Sequence, residues 1–190
     1  MSGLSAESGR YLLRAARHAI ATHLGVEGEA PGIPAAELQE ARGVFVTLVT
    51  LPDLVLRGCI GFIEPRGPLA RSVEEAAVAA ACRDPRFEPV SRREYEDLGL
   101  EVSVLSRSAP IAPDDVVVGT HGLIVRKDGR SGLLLPQVPG EQGWNREEFL
   151  SFTCRKAGLP ADAWRSPGVE LLGFSAQVFH EDPPEGRRRS

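Results

Sequence analysis

A thiol set among glycines, in the run Arg57-Gly58-Cys59-Ile60-Gly61, is the part of this sequence best suited to covalent chemistry. A nucleophilic cysteine needs approach space and a means of stabilising its thiolate; the flanking glycines offer the first, and Arg57 offers the second. The same thiol also reads as a small buried hydrophobe, and glycine within a strand also marks a bulge or a close backbone approach. Two further groups are placed to move protons. His121, between Thr120 and Gly122 at the entry to a strand, can act as a general base or simply close a turn against backbone. Glu101 is an acid in an otherwise apolar strand, so it must meet solvent, a polar partner or a cleft. Asp84-Pro85-Arg86-Phe87 sets a carboxylate and a guanidinium on a rigid turn, as an anion clamp or as a loop lock. Gln137 and Glu141 lie among two prolines, Pro136 and Pro139, before Trp144, in a polar loop suited to a planar ligand. Cysteines at 59, 82 and 154 are odd in number and widely spaced, with no CxxC, HxH or HExxH, so neither a disulfide framework nor a metal site is expected. Cys82 and Cys154 fall within helical patterns and read as core thiols, and no motif names a cofactor.

The elements that must position these groups are well punctuated. Residues 5–24 carry apolar side chains at three- and four-residue steps, with Ser5 and Ser8 as alternative caps, and predict an amphipathic helix. Residues 43–50 alternate and are β-branched; a Pro52-Asp53 turn then leads into LVLRGCIGF, which predicts an antiparallel hairpin. An alanine-dense helix over 68–82 is stopped by Pro85 and Pro89. Residues 99–106 alternate with Leu100, Val102 and Val104 on one face and Glu101, Ser103 and Leu105 on the other. Two short strands meet at an Asp128-Gly129 turn, Asn145 caps a helix reaching about Ala157, and residues 169–179 predict one last strand. Strands in hairpins, interrupted by helices without a βαβ rhythm, predict an α+β fold: a mainly antiparallel sheet flanked by helices, with a smaller subdomain. Neither GxGxxG nor GxxxxGK[ST] is present, so a nucleotide fold is not expected.

The chain has 190 residues, 42% hydrophobic and 25% charged, enough for a substantial core. Its longest apolar stretch, near 44–51, is too short for a bilayer, and no signal-type segment opens it; a cytoplasmic protein with no membrane association is expected. A formal net charge of -4 gives no general attraction for nucleic acid, and RNA binding would rest on the local arginines 83, 86, 92 and 93 and on the terminal ones at 187–189. Residues 182–190 are expected to be a disordered tail after a single two-lobed domain over 1–181.

Taken in order, GVFVTL, LRGCIG, AAVAAACRDPRF, LEVSVLS, GTHGLIV, GLLLPQVPGEQGW, FLSFTCRKAGLP and a terminal AQVF resemble the AMMECR domain family, whose members include the AmmeMemoRadiSam system protein A type. The resemblance covers roughly residues 8–181, with LRGCIG as the family signature. It implies a larger sheet-and-helix part and a smaller part, with the signature near a cleft. It raises Arg57, Gly58, Cys59, Gly61, Asp84, Arg86, Glu101, His121, Gln137 and Glu141 as positions matching the family's motifs. It also implies association with Memo-like and radical SAM proteins. Two functions follow as expectations. One is an enzyme or enzyme component of a modification pathway, with Cys59 as nucleophile, Arg57 or Arg86 as anion clamp, and His121 or Glu101 as proton-transfer partner. The other is a non-catalytic binding or adaptor domain using the same cleft, with Cys59 packed.

Overall fold

A computed structural model describes residues 3–181; the tail expected at 182–190 lies outside the described residues. The chain divides into two compact units, one running to Leu105 and taking up the segment from Gln177, the other formed by Ser106–Ala176.

In the first unit, helix α1 (Ala6–Leu24) starts at Ser5, whose side chain accepts from the Ser8 N–H, and ends at Gly25 in the left-handed region. Ser5 is therefore the cap that the sequence left open between two serines. The hairpin is β1 (Val44–Thr50) and β2 (Val55–Phe62), followed by α2 (Leu69–Cys82) and β3 (Leu98–Leu105). With β8 (Ala176–His180) these strands form one sheet in the order β2-β1-β3-β8, β1 pairing antiparallel with both β2 and β3. Strand parity decides which side chains the helices cover. Val44, Val46 and Leu48 of β1 and Leu100, Val102 and Val104 of β3 pack with Leu12, Ile20, Leu69 and Val73 into the main core. The intervening residues Phe45, Thr47 and Val49 point to the face turned away from the helices. Because β2 is an edge strand, Leu56 and the neighbouring Ile63, both read from sequence as wanting burial, stay 39% and 42% exposed.

The second unit is built on β5 (Gly122–Lys127) and β6 (Arg130–Leu134), which meet at the expected turn, with both Asp128 and Gly129 at positive φ. Sheet order here is β4-β7-β5-β6, where β4 is Ala109–Pro110 and β7 is Glu170–Phe174. A short helix α3 (Val138–Gln142) precedes α4 (Arg146–Lys156), whose Asn145 and Glu148 form a reciprocal capping box. Phe149, Leu150 and Cys154 of α4 are fully buried or nearly so, as a core thiol and its neighbours should be. In β6, Gly132 has no room for a side chain: a Cβ there would stand 2.3 Å from the Ala157 backbone nitrogen at the end of α4.

All pairings described within these strands are antiparallel, and the α+β class expected from sequence is the fold observed. The single last strand is a correction. Residues 169–179 form two strands in different sheets, broken at Ser175. Ser175 donates its N–H to Ser106 Oγ and accepts the Ser106 N–H on its carbonyl, so both its backbone groups are used outside either ladder. No glycine or proline marks that break, and the alternation runs through it.

Candidate functional site

What comes close to Cys59 is a helix on one side and a carboxylate on the other. Gly58 pairs with Leu48 and so faces α2, where a Cβ would stand 2.2 Å from the Ala80 carbonyl oxygen. Only glycine lets the alanine-rich helix rest on the strand. The register then slips between Leu48 and Val49, so that Gly58 and Leu56 are paired and Arg57 is the extra residue of a bulge. Arg57 therefore does not share the face of Cys59 as a regular strand would require. Its Nε donates to Glu94 Oε1 at 2.9 Å, pulling that carboxyl down to about 2, and its guanidinium lies 5.9 Å from the Phe87 ring centroid. The Arg57 Nη1 is buried with no hydrogen-bond partner among the described residues.

Asp84 closes the edge of β2. Its carboxylate accepts the Cys59 N–H at 2.9 Å, the Arg86 N–H at 3.1 Å, and the Arg86 Nε and Nη2 at 3.0 and 2.7 Å. The Asp84 side chain is 2% exposed against 54% for Arg86, and the guanidinium holds the carboxyl well below the usual carboxylate range. Asp84 and Arg86 are thus joined to one another, and the same carboxylate holds the strand's outward N–H.

The Cys59 side chain points away from the helices. Thr47, its register partner, donates its hydroxyl to Cys59 Sγ at 3.3 Å, and on its other side Thr47 is in register with Glu101. Glu101 accepts from Ser103 Oγ at 3.3 Å and faces His180 Nδ1 at 3.4 Å. One polar side chain from each of the four strands, Cys59, Thr47, Glu101 and His180, thus forms a row across the sheet. Burial pushes the Cys59 thiol up; the Thr47 hydroxyl and the Arg86 charge oppose that, while Asp84 and Glu101 add to it. Among the described residues no group of three or more His, Cys, Asp and Glu could hold a metal ion.

Gly61 pairs with Phe45, and a Cβ there would stand 2.4 Å from the Phe45 ring. The glycine lets an aromatic side chain lie over the strand. His121, Gln137 and Glu141 belong to the second unit. The His121 Nδ1 accepts the Val117 N–H at 3.1 Å and the His121 backbone N–H donates to the Val117 carbonyl, so side chain and backbone together close a turn. Gln137 and Glu141, both exposed, are joined along one helical turn by the Glu141 N–H and the Gln137 carbonyl. The structure therefore gathers Cys59, Glu101, Asp84 and Arg86 around one sheet, and it adds two residues that sequence reasoning missed. Thr47 was signalled by its parity with Phe45, as a polar residue flanked by apolar ones within the strand. His180 carried no usable signal, because its place depends on the pairing of β8 with β3.

Relatives match nearly the whole of this chain. A Methanopyrus kandleri protein, MK0488, is 50% identical over 193 residues, covering 96% of this chain and 93% of its own length. The Pyrococcus abyssi protein PYRAB00100 is 45% identical over all of this chain and 99% of its own. The crystal structure of an uncharacterized protein, PH0010, from Pyrococcus horikoshii superposes with a TM-score of 0.84 at 46% identity, covering 96% of each chain. The AMMECR1 family pattern matches residues 13–179, and the chain belongs to the AMMECR1 family.

Proposed function

We propose that this protein is the ligand-binding component of a modification pathway, taking a small polar ligand on the row Cys59, Thr47, Glu101 and His180 with Cys59 as a neutral thiol. The row carries the reading: a sheet face needs only β-branched and apolar residues for stability, yet each strand contributes a polar group at the same level. Burial keeps Cys59 protonated near neutral pH, where a thiol is a weak donor and contact rather than a nucleophile. Asp84 supports the row from outside it, through the Cys59 N–H. The protein would work in the cytoplasm, with Memo-like and radical SAM proteins, implied by the family resemblance, as the other members of the pathway.

The second reading is an enzyme component with Cys59 as nucleophile. It is favoured by the Arg86 charge, which acts on the thiol in the thiolate direction, and by Glu101 as a base one strand beyond Thr47. Alkylation of Cys59 as a function of pH separates the two. The binding reading expects slow reaction with an apparent pKa above the free-thiol value of about 8.5. An apparent pKa below it gives the enzyme reading the lead. Small molecules retained by the wild type from a cleared metabolite extract, identified by mass spectrometry, should be lost by Thr47→Val and Glu101→Gln. Equal retention by wild type and both variants refutes the row as a binding site.

A further inference from the structure

Beside the polar row the first unit carries a recess of ≈ 440 Å³, lined by Phe45, Gly61, Phe62, Ile63, Glu64 and Arg66 among others. Small-ligand sites run from roughly 300 to 1,000 Å³. Strand register fixes where it lies. Gly61 is two residues from Cys59 and Phe45 two from Thr47, all on the face turned from the helices, so the recess begins about 7 Å from the row. Its walls are aromatic and aliphatic: the Phe45 ring over Gly61, and Ile63, 42% exposed.

The charge at this recess is specific. The Arg66 guanidinium is held 4.3 Å from the Phe62 ring centroid and makes no hydrogen bond or ion pair among the described residues. Glu64, the acid of the lining, is already engaged. A guanidinium steadied on a ring, with its donors unspent, matches a carboxylate through a two-pronged charge-assisted bond. One cation with an acid nearby suits a single negative charge rather than a phosphate dianion. We propose that the recess binds an aromatic carboxylate, its ring against Phe45 and Ile63 and its carboxylate on Arg66, with the rest of the molecule running along the strand pair toward Cys59 and Thr47. That last direction rests on the proposed function above; the recess itself does not.

Benzoate is the probe, titrated into the full chain and followed through the backbone amide NMR signals of the non-proline residues of 61–66. Saturable shifts there are expected, with benzamide and phenyl phosphate each binding about tenfold or more weakly, and with Arg66→Gln weakening benzoate by about tenfold while leaving benzamide unchanged. Phe45→Leu should weaken benzoate and benzamide alike. No shift at residues 61–66 with millimolar benzoate, or unchanged affinity in Arg66→Gln, overturns the inference, and tighter binding of phenyl phosphate overturns the carboxylate assignment. Thr47→Val and Glu101→Gln, which lie outside the recess, should bind benzoate as the wild type does. If they also retain every metabolite in the extract experiment, the row fails as a site while the recess stands.

Discussion

Replacing Asp84 by Asn changes one atom and removes the charge that holds the edge of β2. The wild-type carboxylate serves two backbone N–H donors, from Cys59 and Arg86, and the Arg86 guanidinium. Arg86 is 54% exposed and can return to water, so its ion pair contributes only about 0–1 kcal/mol. Each backbone bond to a buried charged acceptor contributes about 1.5–3 kcal/mol. Asparagine keeps one carbonyl oxygen and turns an amide N–H₂ toward the other donor, so one of the two bonds is lost outright. The expected destabilisation near pH 7 is about 3 kcal/mol, or roughly 6–12 °C in Tm for a chain of this size. The effect should depend on pH in one direction. The folded Asp84 carboxyl titrates well below the unfolded value of about 3.9, so its stabilisation is complete above that value and drains away as pH falls toward the folded one. Urea unfolding of wild type and variant should therefore show a constant gap between about pH 5 and pH 7 that narrows below about pH 4. Hydrogen exchange should show the Cys59 or the Arg86 amide exposed in the variant. A gap under about 1 kcal/mol near neutral pH, with both amides still protected, would refute the assignment of Asp84 as the lock of this edge.

Two glycines where a helix backbone meets a strand give parallel expectations. Gly58→Ala puts a methyl group 2.2 Å from the Ala80 carbonyl oxygen, a rigid neighbour, and should cost about 3 kcal/mol by urea unfolding; a neutral result would mean that α2 slides freely on β2. Gly132→Ala meets the Ala157 nitrogen at 2.3 Å and should cost a similar amount, about 3 kcal/mol, with hydrogen-exchange protection lost first at the end of α4; loss confined to the first unit would contradict it.

Local patterns carried most of this fold, and non-local pairings carried most of what sequence could not show. Ser5 and Asn145 as caps, the Asp128-Gly129 turn and the Leu100-Val102-Val104 face all follow from residues within a few positions of one another. The thiol and its glycines were visible for the same reason. Thr47 joins the site through register with both neighbours, and His180 through a pairing with a strand more than seventy residues away in sequence. Nothing near either residue encodes those partners. The bulge at Arg57 likewise turns an arginine from the thiol's face toward Glu94, a choice made by the residue at 94 and not by the signature itself. The break at Ser175 is decided by its exchange of hydrogen bonds with Ser106, across an alternation that reads as continuous.

The distance in sequence between Cys59 and the group that seals it has a consequence for synthesis. Asp84 lies 25 residues beyond Cys59, and β3, the other neighbour of β1, begins at Leu98. As the chain leaves the ribosome from its N-terminus, the β1–β2 hairpin emerges with both its outer edges bare and with Leu54, Val55 and Leu56, exposed even in the finished fold, at its tip. Bare strand edges recruit other strands. For this stretch of translation the nascent chain is a competent template for a neighbour on the same messenger; the arrival of Asp84 closes the β2 edge, and β3 then closes the β1 edge.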